Sequence, residues 1–312
     1  MGFLIAAQQV SVMMVIILAG WILFRLKLIK KGGVSGINNV LVYVVNPCVV
    51  IHAFQISFDN DRLLQLGLAF AVACGLLLVS IALAKLLFPK RALPDVVERR
   101  VLRFGTVYTN LGFYGIPLVT ALIGVDAVFY LVAFILAFNV FVWTHGIAMF
   151  SDERDLKKQA RRIVTNPNIV GAVLAVLLFI FSIQLPDVLG SAVESVAGLN
   201  TALSMIFIGS QVATISLRSM FTSPKVWYGT LMRNVVVSLV VFGILTLLPL
   251  PAVVRMVALI AMACPVGVAT VQFSVLHKID AKFSTQFLCV STAASILTLP
   301  SLLALAGILW VG

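Results

Sequence analysis

The residues of this chain that could do chemistry sit inside apolar runs. Residues 109–124 read TNLGFYGIPLVTALIG, with Asn110, Gly112, Gly115 and Pro117 at the centre. Residues 262–272 read MACPVGVATVQ, with Pro265, Val266 and Gly267 at the centre and Gln272 at the end. Proline removes a backbone donor and clashes with the preceding turn. In a lipid-facing helix each backbone group freed in this way costs several kcal/mol. Broken backbone survives at membrane depth only against protein or beside a cavity. Both stretches therefore read as interrupted helices beside a polar cavity.

A half-helix that starts at such a break exposes amide hydrogens and a positive dipole end, which together bind an anion without a buried charge. Pro117 suits the first position of a half-helix, since its missing donor would have been unpaired. Val266 and Gly267 are expected to present amides past Pro265. Gly115 and Gly267 would let a ligand approach the backbone. Asn110, and Gln272 about two turns inside the second break, can bond either freed backbone or the ligand. Asn46 and Gln211, on other spans, can face the same cavity or hydrogen-bond between helices. Arg233 is the one basic residue well within a span. An intramembrane charge is a functional candidate by default. It can draw anions into an inner vestibule, or its long side chain can snorkel to the interface.

The missing residues narrow the chemistry. No Asp or Glu falls in the middle of an apolar run, which disfavours proton coupling through a carboxylate. His52 and His145 belong near opposite faces and cannot share a metal. Cys48, Cys74, Cys264 and Cys289 form no CxxC pair, so neither a zinc site nor a disulfide framework is suggested. Nothing calls for a cofactor. There is no HExxH, no intramembrane acid–base pair and no serine–histidine partnership, which argues against an enzyme. A carrier is the leading reading. An anion channel or membrane sensor of the same fold is the alternative, because interrupted helices occur in channels too.

The elements that position these residues follow from composition. The chain is 62% hydrophobic and 11% charged, against roughly 25% charged in soluble domains. Mean hydropathy is +1.14. Such a chain belongs in a bilayer as an all-α, multi-pass protein of the cell membrane. The net charge of +11 does not indicate nucleic acid, because the basic residues lie in short loops between apolar spans. Ten spans of close to the ~20 residues needed to cross are expected: 3–24, 37–56, 63–88, 104–124, 127–150, 168–185, 193–216, 226–248, 252–276 and 284–311. Nineteen of the 22 Lys and Arg fall in or beside one set of loops; Arg62, Arg255 and Arg233 are the others. By the positive-inside rule those loops are cytoplasmic and both termini lie outside.

Residues 1–150 hold five spans, 151–165 form a polar cytoplasmic linker and 166–312 hold five more. An odd number per half means that two halves sharing a fold sit inverted. Pro117 lies about 13 residues into the fourth span and Pro265 about 13 into the ninth, entered from opposite faces. At 1.5 Å per residue both breaks fall near the midplane. Paired interrupted helices in two halves point to a transporter binding site.

At TNLGFYGIPLVTALIG the chain resembles the auxin efflux carrier family. VVNPCVVIHAF from Val44, NPNIVGAVLAVLLF from Asn166 and MACPVGVATVQFSVL from Met262 extend the likeness over essentially the whole chain. The resemblance implies two inverted five-helix repeats whose fourth and ninth helices cross at their breaks, as in sodium/proton antiporters and bile-acid carriers. It implies a scaffold of helices one, two, six and seven, through which a homodimer can form, and a moving domain of the other six. It implies organic-anion substrates: auxins in plants, small dicarboxylates such as malate or malonate in some bacteria. The long central loop of the longer plant members is missing, which favours a bacterial-type, malate- or malonate-permease-like member. The sequence names no coupling ion.

The topology is testable by labelling. In a cysteine-free background, single cysteines at Asn60 and Asp187 should react with an impermeant thiol reagent from outside. Cysteines at Gln159 and Lys278 should react only after permeabilisation. Labelling of Gln159→Cys in sealed cells would reject the ten-span topology.

Overall fold

A computed structural model describes residues 2–150, 161, 164–216 and 222–311. The expected linker 151–165 lies almost wholly outside these residues. Among the described residues twelve helical segments follow one another: α1 Gly2–Arg25, α2 Lys31–Ala53, α3 Asn60–Leu87, α4 Val96–Val107, α5 Leu111–Leu122, α6 Val125–Phe150, α7 Pro167–Ile180, α8 Asp187–Val212, α9 Pro224–Leu247, α10 Ala252–Ala263, α11 Ala269–Leu276 and α12 Ala281–Val311. No strand ladder occurs among the described residues. Seven helices (α1, α2, α3, α6, α8, α9 and α12) are long and apolar enough to cross a membrane, and α5, α7 and α10 are shorter apolar helices.

Helix starts follow local chemistry. Asp95 accepts from the backbone N–H groups of Val97 and Glu98 at 2.8 and 2.9 Å. This cap satisfies two of the orphan donors of a first turn. It starts α4 at Val96, eight residues before the expected start of the fourth span. Arg99, Arg100 and Arg103 are therefore helical rather than loop residues. Asn166 caps α7 in the same way, accepting from Asn168 and Ile169, with Pro167 at the first helical position.

Four π turns interrupt the helices, at Leu41–Val45, Leu111–Gly115, Val142–Gly146 and Met232–Val237. The first two precede Pro47 and Pro117. A π turn shifts the carbonyl partner by one residue, and this accommodates a proline with no N–H. The expected kink at Asn46–Pro47 takes this form, within a helix that runs on to Ala53.

α6 is the most enclosed of the long helices, with Val128, Phe129, Leu131, Val132 and Phe134 almost wholly buried. Aromatic rings tie α4, α6 and α11 together: Phe104 lies 4.9 Å from Phe273 and Tyr108 lies 5.4 Å from Phe138, centroid to centroid. α1 crosses α8 where Gly209 comes against the backbone of Ile17 and leaves no room for a Cβ. Close backbone approach through small residues is how helices associate in lipid.

Candidate functional site

Two helical lines are broken, and the breaks meet. α4 ends at Val107 and α5 starts at Leu111; α10 ends at Ala263 and α11 starts at Ala269. Between them the chains run antiparallel, with Thr109 opposite Val266. Asn110 donates its backbone N–H to the Pro265 carbonyl, and Gly267 donates to the Tyr108 carbonyl, each at 2.9 Å. The Thr109 hydroxyl donates to the Ala261 carbonyl at 3.0 Å. Each break thus satisfies part of the other's exposed backbone, as burial in an apolar medium demands. Gly267 is obligatory here: a Cβ would lie 2.8 Å from the carbonyl oxygens of Tyr108 and Thr109. The backbone of the partner break approaches this glycine on its Cβ side, and Gly267 also lines the cavity beside the paired breaks.

The first break lies at Tyr108–Asn110, not at Pro117. Pro117 sits in the second turn of α5, behind the π turn, and so does not expose the half-helix start. Val266 and Gly267 do not offer free amides either. The Val266 N–H donates to the Ser291 hydroxyl at 3.0 Å, and Ser291 in turn donates to the Asn234 side chain at 2.7 Å. The Gly267 N–H is spent on Tyr108.

The amides left over lie one step further along. The N–H groups of Gly112 and Phe113 at the start of α5 have no acceptor among the described residues, nor do those of Val268 and Ala269 at the start of α11. All four residues line one cavity of about 430 Å³, together with Asn110. The Asn110 side chain is only 4% exposed, and its amide nitrogen has no partner. No charged side chain among the described residues lines this cavity. Two positive dipole ends and an unpaired amide therefore face a neutral space. The cavity reaches from the paired breaks to Asn38 and Asn39 on α2 and to Thr165–Asn168 at the start of α7, and Phe113, Phe138, Trp143 and Phe273 supply apolar wall.

Three other expected residues, Asn46, Gly267 and Gln272, also line the cavity. Asn46 accepts from the Asn200 side chain at 2.9 Å, so it combines the inter-helix and the cavity-facing readings. Gln272 donates to the Asn38 side chain at 3.3 Å. Gly115, Pro117, Pro265, Val266, Gln211 and Arg233 do not line it. Gly115 packs against Cys264, whose sulfur would lie 3.4 Å from an added Cβ.

Arg233 is the largest departure from expectation. It neither snorkels nor faces a vestibule: it is fully buried in the π turn of α9. Its Nη2 donates to the carbonyls of Met262 and Cys264 at 2.5 and 2.7 Å. These carbonyls form the negative end of α10, so a guanidinium fork is the matching cap. Its Nε and Nη1 have no partner among the described residues, and no carboxylate pairs with it. His145 meets the Tyr108 hydroxyl at 3.0 Å, a packing role on the crossing segment.

The tight pairing predicts unequal costs for two glycines. Gly267→Ala should lower stability by about 1–3 kcal/mol through overpacking, read as a lower thermal midpoint of the purified protein. Gly112→Ala should leave the midpoint nearly unchanged, since its Cβ would meet only the Asn46 amide at 3.5 Å. Equal midpoints for Gly267→Ala and wild type would reject the tight crossing.

Comparison with known proteins bears on the same chain length. No curated protein matches the sequence. A family described as membrane transport protein matches residues 5–303, a span that contains both broken segments, the cavity and Arg233. The chain therefore belongs to this family, the auxin efflux carriers.

Proposed function

We propose that this membrane transporter carries small organic monoanions by alternating access, holding the carboxylate at the two half-helix starts. One observation carries the reading. Four backbone amides (Gly112, Phe113, Val268 and Ala269) and the Asn110 side chain, unpaired among the described residues, line a single cavity with no charged side chain among its described lining. A carboxylate accepts such donors with short, charge-assisted bonds. A second carboxylate would find no Lys, Arg or His among the described lining residues, so a monoanion fits this lining better than a dicarboxylate.

The same reading takes the chain as ten spans in two inverted repeats, 1–150 and 166–312, joined by the linker at 151–165. α4–α5 and α10–α11 are then the fourth and ninth spans. α1, α2, α7 and α8 form the scaffold, and the remaining helices move. The cavity reaches Asn38 and Asn39 in the first turns of α2 and the loop end before α7, on the side of the basic loops assigned to the cytoplasm, so this reading takes the conformation as inward-open. Beyond the paired breaks Tyr114, Leu118 and Cys264 are fully buried, which favours a carrier over an open channel.

Charge accounting supports uniport. The site contributes dipoles and amides, with no carboxylate to carry a proton. A bound monoanion crosses with its charge, and outward movement in a cell that is negative inside gains about 2.3 kcal/mol per 100 mV. That is a bias of about fifty-fold. In proteoliposomes, a potassium-diffusion potential should drive net carboxylate movement toward the positive side. Asn110→Ala should raise the half-saturating concentration about tenfold or more, as for one lost hydrogen bond to a charged group. Arg233→Ala should instead lower maximal flux and stability together, with Arg233→Lys restoring part of both. Flux that depends strictly on a proton or sodium gradient and ignores the imposed potential would reject uniport.

A further inference from the structure

A second, smaller cavity of about 60 Å³ lies between α3, α4 and α6, apart from the crossing site. Lys85, Arg103 and His145 line it, with Ile81, Ala84 and Met149 as apolar wall. No carboxylate among the described residues lines it. The nearby acids of α4 are engaged elsewhere: Asp95 caps its own helix, and Glu98 pairs with Lys225 at 2.5 Å. Arg103 uses Nε and Nη2 on the Phe88 carbonyl at 3.0 and 2.7 Å. This fixes its fork at the cavity and leaves Nη1 without a described partner. His145 is held by the Tyr108 hydroxyl. Lys85 is exposed and makes no described ion pair. Two permanent cations from two helices thus converge on one small hollow with no counter-charge among the described residues.

The surroundings say which anion fits. Leu78, Ala82 and Lys85 fall on one face of α3 at helical spacing. Leu78 is 57% exposed, Ala82 is exposed, and neighbouring Leu86 is 73% exposed. An apolar strip therefore runs away from the hollow along the lipid-facing side of α3. A free phosphate would leave that strip unused, whereas an acyl chain would cover it. We propose that this hollow holds the phosphate of an anionic phospholipid from the leaflet on the side of the basic loops, with its acyl chains along Leu78 and Ala82. That leaflet carries the negative lipids to which juxtamembrane cations are attracted, at about 1 kcal/mol each.

Purified, delipidated protein tests the site. Phosphatidylglycerol, phosphatidylcholine and glycerol 3-phosphate are titrated separately while the thermal midpoint is followed, in wild type, Lys85→Gln and Arg91→Gln. Arg91→Gln removes the same charge from an exposed position on the next loop. Phosphatidylglycerol should stabilise wild type, with a half-saturating concentration about fivefold higher in Lys85→Gln and unchanged in Arg91→Gln. Equal weakening in both variants, or in neither, would overturn the site. Stabilisation by glycerol 3-phosphate equal to that by phosphatidylglycerol would overturn the lipid source. Should Lys85→Gln fail to fold, native mass spectrometry of wild type decides. Preferential retention of phosphatidylglycerol over phosphatidylcholine supports the proposal, and equal retention rejects it.

Discussion

The structure depends on backbone pairing between two broken helices. Breaking a helix in an apolar environment frees amides and carbonyls that cost several kcal/mol each if left alone. Here the carbonyl ends and the amide ends are treated differently. The carbonyl end of α10 is closed by the Thr109 hydroxyl and the Arg233 guanidinium. The amide ends of α5 and α11 are closed only in part, by Ser291 and by the reciprocal bonds of Tyr108–Asn110 with Pro265–Gly267. The unpaired amides of Gly112, Phe113, Val268 and Ala269 are positive in character and face the cavity. The proposed preference for an anion rests on these amides, and no cationic side chain need enter the site.

Arg233 matters in this picture because of where its charge sits. A buried guanidinium is expensive unless well bonded. It occupies the carbonyl end of a broken helix, a place where a bound cation could otherwise neutralise the same oxygens. A resident arginine supplies that charge covalently. The crossing can then exist without a coupling cation, which agrees with the proposed uniport. The two unpaired nitrogens of Arg233 add to the positive field at the crossing.

Much of this was legible in the sequence. Composition and loop charges gave a multi-pass helical protein, and Pro265 marked the second break, because a proline among small residues leaves few other options. The first break was misplaced by about eight residues. Pro117 drew attention, but a π turn absorbs a proline without ending a helix. The residues that do break the line, Tyr108–Asn110, have no prohibitive helix propensity. They are extended because Val266 and Gly267 lie opposite, more than 150 residues away in the chain. Asn110 was legible as a polar residue in an apolar run. The amides of Gly112, Phe113, Val268 and Ala269 were not, since a free N–H depends on where the neighbouring segment ends its pairing. Arg233 was visible as an intramembrane charge, but its partners, the carbonyls of Met262 and Cys264, are set by the tertiary fold.

The most direct test of the account is the position of a bound anion. A structure determined with a small monocarboxylate such as benzoate should place the carboxylate oxygens within about 3.2 Å of the Asn110 side-chain nitrogen and of backbone amides among Gly112, Phe113, Val268 and Ala269. A carboxylate seated on Arg233, or held away from both half-helix starts, would contradict it.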